Sequence, residues 1–415
     1  MAFLRADTWP HPADFSPPPT RADRQRWNDA DRAARPPRLD RLRDRMVLEG
    51  VDGYFGVRWE HMRYLIGLPF DEEEVAGAGD SGKFLITGTE SIVLADSRYT
   101  IAVGRDAPDS RIFDCYNALT DRWPELVAGA GVTRVAVEAM SIPHLTWERL
   151  QAAVPNVELV PVEGWVEAIR QVKDPSEIER IAAACAVADR ALASLLPSMR
   201  PGVTEQELAL DLEWRIRTSG AERLAFPVAC LAGAEAALPH GSPGDRPLEE
   251  GAVLLFDFGA QVAGYRSDMT RTLFVGEPNE RDLAVYGVVA AAQDAVFESL
   301  AAAAIARASG AIDPLPNGPA MDLLARSVID ADGRWPAFGH GLGHGIGLAT
   351  HELPGLGRRS PIGPLPTPTV FSVEPGIYLE GETGVRIEDL VVLDAAAGRM
   401  ELLTRFPRDV VIVGA

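Results

Sequence analysis

Apolar positions recur at helical and strand periods along most of this chain, and changes between the two periods divide it into segments. Leu39, Leu42, Met46 and Val47 follow a helical spacing, and that stripe stops at Gly50. Strand-like runs follow at 51–57 (VDGYFGV), 133–139 (TRVAVEA) and 157–162 (VELVPV). KFLITGTESIVLAD, 83–96, predicts a hairpin with Gly88 near its turn, and 142–154 predicts a helix. Together these elements predict a small α/β domain over 38–165. Residues 1–37 are polar and carry SPPP and a Pro36-Pro37 pair without sustained period, so they read as an extended arm or lead-in, whether free or partly packed on the body.

A linker, 166–174, precedes a sharp boundary. In KDPSEIERI, Asp174 suits a helix N-cap, Pro175 the first turn and Glu177 the reciprocal capping position. Ile178, Ile181, Cys185, Ala188, Leu192 and Leu195 then form one apolar stripe, which places Cys185 in a core. Thr204 with Glu207 marks a second capped helix. The remainder, 175–415, reads as one larger α+β domain.

Within that domain a pattern repeats. VLLFDFG at 253–259 and VFSVEPG at 370–376 share an apolar strand, a carboxylate and a glycine that permits a turn. Each is followed by a second acid on a returning segment, Asp268 in YRSDMTRTLFV and Glu388 in GVRIEDLVVL. Helical segments precede both units, at 175–217 and 281–331. The larger domain is therefore expected to consist of two similar halves, each giving a hairpin with an acid on both arms.

A single Asp or Glu is ordinarily a solvated surface charge. Asp257 and Glu374 fit that reading poorly, because they end strands that look buried, and Asp268 and Glu388 precede the apolar runs TLFV and LVVL. If the hairpins pack as partners, four carboxylates meet in a mostly apolar interior, where like charges raise one another's protonation. Two divalent cations would cancel that charge and activate a water between them. An oxygen-rich site with an imidazole and no thiolate suits manganese, cobalt or zinc, and the sequence does not choose among them.

GHGLGHGIGLATHELP, 339–354, holds His340, His344 and His351. His340 and His344 have the spacing of a helical zinc motif, but glycine at alternate positions from Gly339 to Gly347 opposes a helix, each costing about 1 kcal/mol relative to alanine. A looped or extended path is expected, on which the three histidines need not share one role.

Composition narrows the function classes. With 60 acidic and 40 basic residues the formal charge is -20, and no Lys/Arg run offers a basic patch, so neither nucleic acid nor membrane is an expected partner. Three cysteines without a CxxC spacing suit free thiols in a reducing compartment, and the N-terminal residues show no apolar signal core. A cytoplasmic enzyme is the expectation.

The motifs also resemble a known family. DFGAQVAGYRSDMTRT, HGLGHGIGLATHE, EPGIY and GVRIED are similar, in order, to the segments of the pita-bread metallopeptidases, in the branch of Xaa-Pro aminopeptidases and prolidases that carry a creatinase-like N-terminal domain. The resemblance covers roughly 39–405. It implies that Asp257, Asp268, His344, Glu374 and Glu388 bind two divalent metals, with Asp268 and Glu388 bridging, Asp257 chelating one ion, and His344 with Glu374 completing the other. It further implies a pita-bread α+β fold, hydrolysis of the bond between an N-terminal residue and proline in a di- or oligopeptide, and a homodimer. Glu374 would be general base and proton shuttle; His240 and His351 would position substrate and stabilise the intermediate; His340 would line the proline side. Arg386 would be either an ion-pair partner behind the ligands or a contact to the substrate carboxylate.

The chain departs from the pattern at Pro368-Thr369, where Gly-Met is usual. The same scaffold also resembles creatinase-like amidinohydrolases, whose ligand positions are altered, dimethylsulfoniopropionate lyases, which add an acid where Phe258 and Gly259 stand here, and binding modules that have lost the ligands.

Overall fold

The computed structural model describes residues 2–70, 77–311 and 315–414. The chain divides into two units, one of residues 25–169 and one combining 1–24 with 170–415.

The smaller unit is built on a mixed six-stranded sheet in the order Arg111–Asp114, Ser91–Ala95, Phe84–Thr87, Gly53–Gly56, Arg134–Glu138, Glu158–Val162. Phe84–Thr87 and Ser91–Ala95 form the expected hairpin, closed by the Thr87 amide on the Glu90 carbonyl. Phe55, Leu85, Leu94, Trp123 and Val137 fill the core on one face. His144–Ala153 supplies the helix expected between strands.

The lead-in expected over 1–37 is corrected by the helix Arg21–Leu48, which begins well before Leu39 and runs through Pro36 and Pro37. Thr20 caps it: the Thr20 hydroxyl accepts from the Asp23 amide, and the Asp23 carboxylate accepts from the Thr20 amide. The apolar period is missing because an arginine occupies the seam between Trp27 and Leu42. Arg38 is 1% exposed, with its guanidinium 4.1 Å from the ring centroid of Tyr64. Val47, assigned to the apolar stripe, is 79% exposed. Further upstream, Phe3–Leu4 pairs with the strand Val410–Val413, so the first residues are not a free arm.

The larger unit carries two five-stranded sheets. One runs Phe3–Leu4, Val410–Val413, Met269–Val275, Val253–Phe258, Ala229–Ala232; the other Glu352–Leu356, Gly343–Gly345, Thr369–Val373, Asp389–Asp394, Arg399–Leu402. The repeated motifs occupy equivalent places: Val253–Phe258 pairs antiparallel with Met269–Val275, and Thr369–Val373 with Asp389–Asp394. Asp174 and Thr204 form the reciprocal caps of the helices Pro175–Leu195 and Glu205–Thr218, as their sequences require.

The two hairpins are stitched together. The Glu388 amide donates to the Thr270 carbonyl at 3.1 Å, and the Thr272 hydroxyl bonds both the Arg386 amide and carbonyl. The four acids are therefore drawn to one place by backbone connections between the halves. Pro175–Ser198 and Glu280–Ala308 are long and apolar enough to cross a membrane; in the larger unit Val285, Val289 and Val296 of the latter pack with the sheet residues Leu255, Phe371 and Val391 in one core.

Candidate metal centre and active site

The nine candidate residues share one cavity of about 570 Å³: Asp257, Asp268, His344, Glu374 and Glu388 line it, together with His240, His340, His351 and Arg386. Each acid arrives by the route its motif dictates. Asp257 is the fifth residue of the strand Val253–Phe258, Asp268 immediately precedes Met269–Val275, Glu374 immediately follows Thr369–Val373, and Glu388 immediately precedes Asp389–Asp394.

His344 lies on the short strand Gly343–Gly345, not on a helix. Gly343 is required there by close approach, since a Cβ would collide with the Ser372 carbonyl of the neighbouring strand. The His344 Nδ1–H donates to the Gly345 carbonyl at 3.1 Å, and since a carbonyl only accepts, Nε2 keeps its lone pair. That Nε2 sits 3.4 Å from Glu374 Oε1 and 3.7 Å from Asp268 Oδ2.

Among the described residues, ligand atoms of Asp268, His344 and Glu388 lie within 4.8 Å of one another. Asp257 Oδ1 and Glu388 Oε1 are buried and have no hydrogen-bond partner among the described residues. A buried carboxylate oxygen without a donor is costly, and a cation is what a set of carboxylates and one imidazole lacks. Burial, followed by the neighbouring acids, pushes Asp268 and Glu388 well above the usual carboxylate range, and burial also raises Glu374. The donor set thus fits divalent metal, with Asp257, Asp268, His344, Glu374 and Glu388 as the residues that would hold it.

Arg386 stands behind the acids, 3% exposed, and its Nη2 donates to Asp257 Oδ2 at 2.7 Å. Its Nε donates to Thr270 and its Nη1 to the Tyr378 hydroxyl. Three of its donor groups are engaged within the protein, which favours the ion-pair role over a substrate-carboxylate contact. The Tyr378 hydroxyl accepts from Arg386 and donates to His340 Nε2 at 2.9 Å, while His340 Nδ1 donates to the Gly341 carbonyl. Both nitrogens of His340 are therefore occupied, and it presents its ring to the cavity.

Residues 179–395 match the description "Metallopeptidase family M24", and 38–172 match "Creatinase/Prolidase N-terminal domain". The chain is a member of metallopeptidase family M24. Its larger unit is the pita-bread catalytic domain of that family, and its smaller unit carries the creatinase-type domain. An uncharacterized peptidase of Bacillus subtilis is 33% identical over 376 residues, 91% of this chain and 100% of the relative. Among solved structures, an Xaa-Pro dipeptidase from Bacillus anthracis superposes with a TM-score of 0.80 at 32% identity, covering 91% of this chain and 99% of the other. An X-Pro aminopeptidase from Thermotoga maritima gives a TM-score of 0.78 at 32% identity, with coverages of 90% and 99%.

In this M24 peptidase the hydroxyls that hold the acids were not singled out by sequence. Thr270 donates to Glu388 Oε2 at 2.7 Å, and Ser372 donates to Glu374 Oε1 at 3.1 Å. Both stand within two residues of a motif acid on a strand, a polar hydroxyl in an apolar run, and that was the available signal. Phe226, Pro227 and Pro239 line the cavity as apolar wall, and nothing in an apolar loop distinguishes wall from core. His351 lines the cavity with its ring centroid 4.2 Å from that of His344, and burial, followed by His344, pushes it down to about 4. At neutral pH it is an uncharged imidazole able to donate one hydrogen bond.

Proposed function

We propose that this M24 peptidase cleaves the peptide bond between an N-terminal residue and a following proline, as an Xaa-Pro dipeptidase or aminopeptidase using two divalent ions. The convergence of four acids and one imidazole in a single cavity carries this reading. The structural likeness to an Xaa-Pro dipeptidase and an X-Pro aminopeptidase supports the substrate class. Intact acids at all four positions argue against the metal-free amidinohydrolase and binding-module alternatives, and Phe258 and Gly259 against the lyase.

Bound at this centre, two divalent cations supply charge neutralisation, polarisation of the scissile carbonyl and an activated water. The chain's own residues do the rest. Glu374 has Oε1 tied to Ser372, leaving Oε2 to take and return a proton during attack and amine departure. His351 and His240 donate to the carbonyl oxygen as negative charge develops on it. The ring of His340, fixed by Tyr378, joins Phe226 and Pro227 as an apolar surface suited to the pyrrolidine ring.

The test is a hydrolysis panel of Xaa-Pro dipeptides, Xaa-Pro-Yaa peptides and non-proline controls, run with Mn, Co and Zn. Cleavage confined to proline peptides is the expected result, and absence of cleavage with every metal defeats the reading. Manganese is proposed as the native ion, read by metal analysis of protein purified without added metal. A homodimer is proposed because Leu210 and Trp214, one turn apart on the helix Glu205–Thr218, are 59% and 68% exposed; sedimentation velocity decides it. A cytoplasmic location is proposed from three buried, unpaired cysteines and is checked by fractionation.

A further inference from the structure

His351 has a placement problem. Its ring touches that of His344, yet no hydrogen bond to the ring exists among the described residues, so its position depends on the turn that carries it. That turn, 347–352, is fixed by its own hydrogen bonds and by Arg266. Arg266 donates its amide to the Gly347 carbonyl at 2.8 Å and its Nη1 to the Thr350 hydroxyl at 2.9 Å. The Gly347 amide closes the turn on the Ala349 carbonyl.

Beneath the turn lies a carboxylate that the cavity does not use. The Glu352 side chain is 4% exposed and is held by two cations that are equally hidden: Arg170 at Oε2, with a 2% exposed side chain, and Lys173 at Oε1, fully buried and 2.8 Å away. Lys173 is itself fixed, its Nζ donating to the Arg170 carbonyl and its amide to the Pro368 carbonyl. Glu352 Oε2 accepts from the Ala349 amide at 3.4 Å. Its Oε1 occupies the space a Cβ on Gly347 would need, so the carboxylate fits into the fold of the turn and spans it from Gly347 to Ala349. Burial opposes the charge on Glu352, but the two cations, Arg170 and Lys173, outweigh it and hold the carboxylate below its ordinary range.

We propose that Glu352 is a positioning residue for His351. The Arg170–Glu352–Lys173 triad holds the turn rigid, and the turn holds within reach of the scissile carbonyl an imidazole that makes no hydrogen bond among the described residues. This rests on the reading of His351 as a donor to substrate. A small displacement of such a donor weakens an interaction that strengthens at the transition state, so the loss falls on kcat more than on KM.

The test is a double-mutant cycle on the metal-loaded full chain with an Xaa-Pro dipeptide: wild type, Glu352→Gln, His351→Ala and the pair. Glu352→Gln alone is expected to lower kcat about 10-fold to 100-fold with KM changed less than about two-fold. In the His351→Ala background the same change is expected to cost less than about two-fold, because the group it positions is gone. Metal content and near-ultraviolet circular dichroism are expected to match wild type. Additive losses, or loss of metal from Glu352→Gln, overturn the proposal. If Glu352→Gln does not fold, Lys173→Met replaces it in the cycle, with a smaller loss and the same non-additivity expected. An inactive wild type overturns both this proposal and the functional reading, whereas an active wild type with additive losses overturns this proposal alone.

Discussion

Two groups of acids are buried in the larger unit, and they differ in what faces them. Glu352, Asp389 and Asp322 each meet a cation: Arg170 and Lys173, Arg271 at 2.6 Å, and Arg326 at 2.7 Å. Asp268, Glu374 and Glu388 meet chiefly one another and a neutral imidazole. Burial is similar, yet Glu352 is held below the usual range while Asp268 and Glu388 are pushed well above it. Asp189 falls between them, fully buried with two backbone amides as hydrogen-bond donors, and is pushed up to about 7. The contrast teaches that burial alone does not set these three acids apart, whereas burial among like charges without a directly bonded cation does; Asp257, paired with Arg386 at 2.7 Å, belongs to the site without sharing that signature.

The strongest way to break this comparison is to remove one acid from each group. Asp268→Ala is expected to lose bound metal and lower kcat by roughly a thousand-fold, several kcal/mol of transition-state stabilisation, while the metal-free protein stays folded. Metal analysis, peptide hydrolysis and thermal melting report the three parts. Asp389→Ala should do the reverse: it leaves Arg271 buried without its carboxylate and is expected to cost about 3–5 kcal/mol in urea unfolding. If the two variants exchange phenotypes, the distinction fails.

A finer cut separates acids from the groups that hold them. Tyr378→Phe removes the hydroxyl between Arg386 and His340 without touching a carboxylate, and is expected to lower kcat/KM about 10-fold with metal content unchanged. The last test concerns Asp189. Because its folded value, about 7, lies above that of the unfolded chain, its contribution is fully present only below the ordinary carboxylate range and is lost as pH rises through about 7. Stability should therefore fall between pH 5 and 7 by up to about 1.4 kcal/mol per unit, and Asp189→Asn should flatten that slope. An unchanged slope in urea titrations would remove Asp189 from its intermediate place.

Much of this was legible in the sequence, for physical reasons that also set the limit. The acids of the two hairpins could be read because a carboxylate at the end of an apolar strand is out of place, and two such strands in one chain are more so. The alternate glycines correctly excluded a helix around His344. The helix Arg21–Leu48 was hidden because arginine stems do the covering that leucines ordinarily do, and its cap uses Asp23 where Glu or Gln is the recognisable partner. Glu352 was hidden differently. It follows His351 directly, but Arg170 and Lys173 are remote in sequence, and a triad assembled by tertiary structure leaves no local period. Tyr378 was visible in EPGIY as a letter but not as a relay, since its partners come from one other strand and one loop.

The bond from the Glu388 amide to the Thr270 carbonyl joins the repeated halves, and the Thr270 hydroxyl reaches an acid 118 residues away. A cation held by acids from both halves would therefore close a very long loop, and its removal would return that closure entropy to the chain. Metal loading at this centre would act as a clasp between the two halves, and its depletion is expected to loosen the seam between them before either half comes apart.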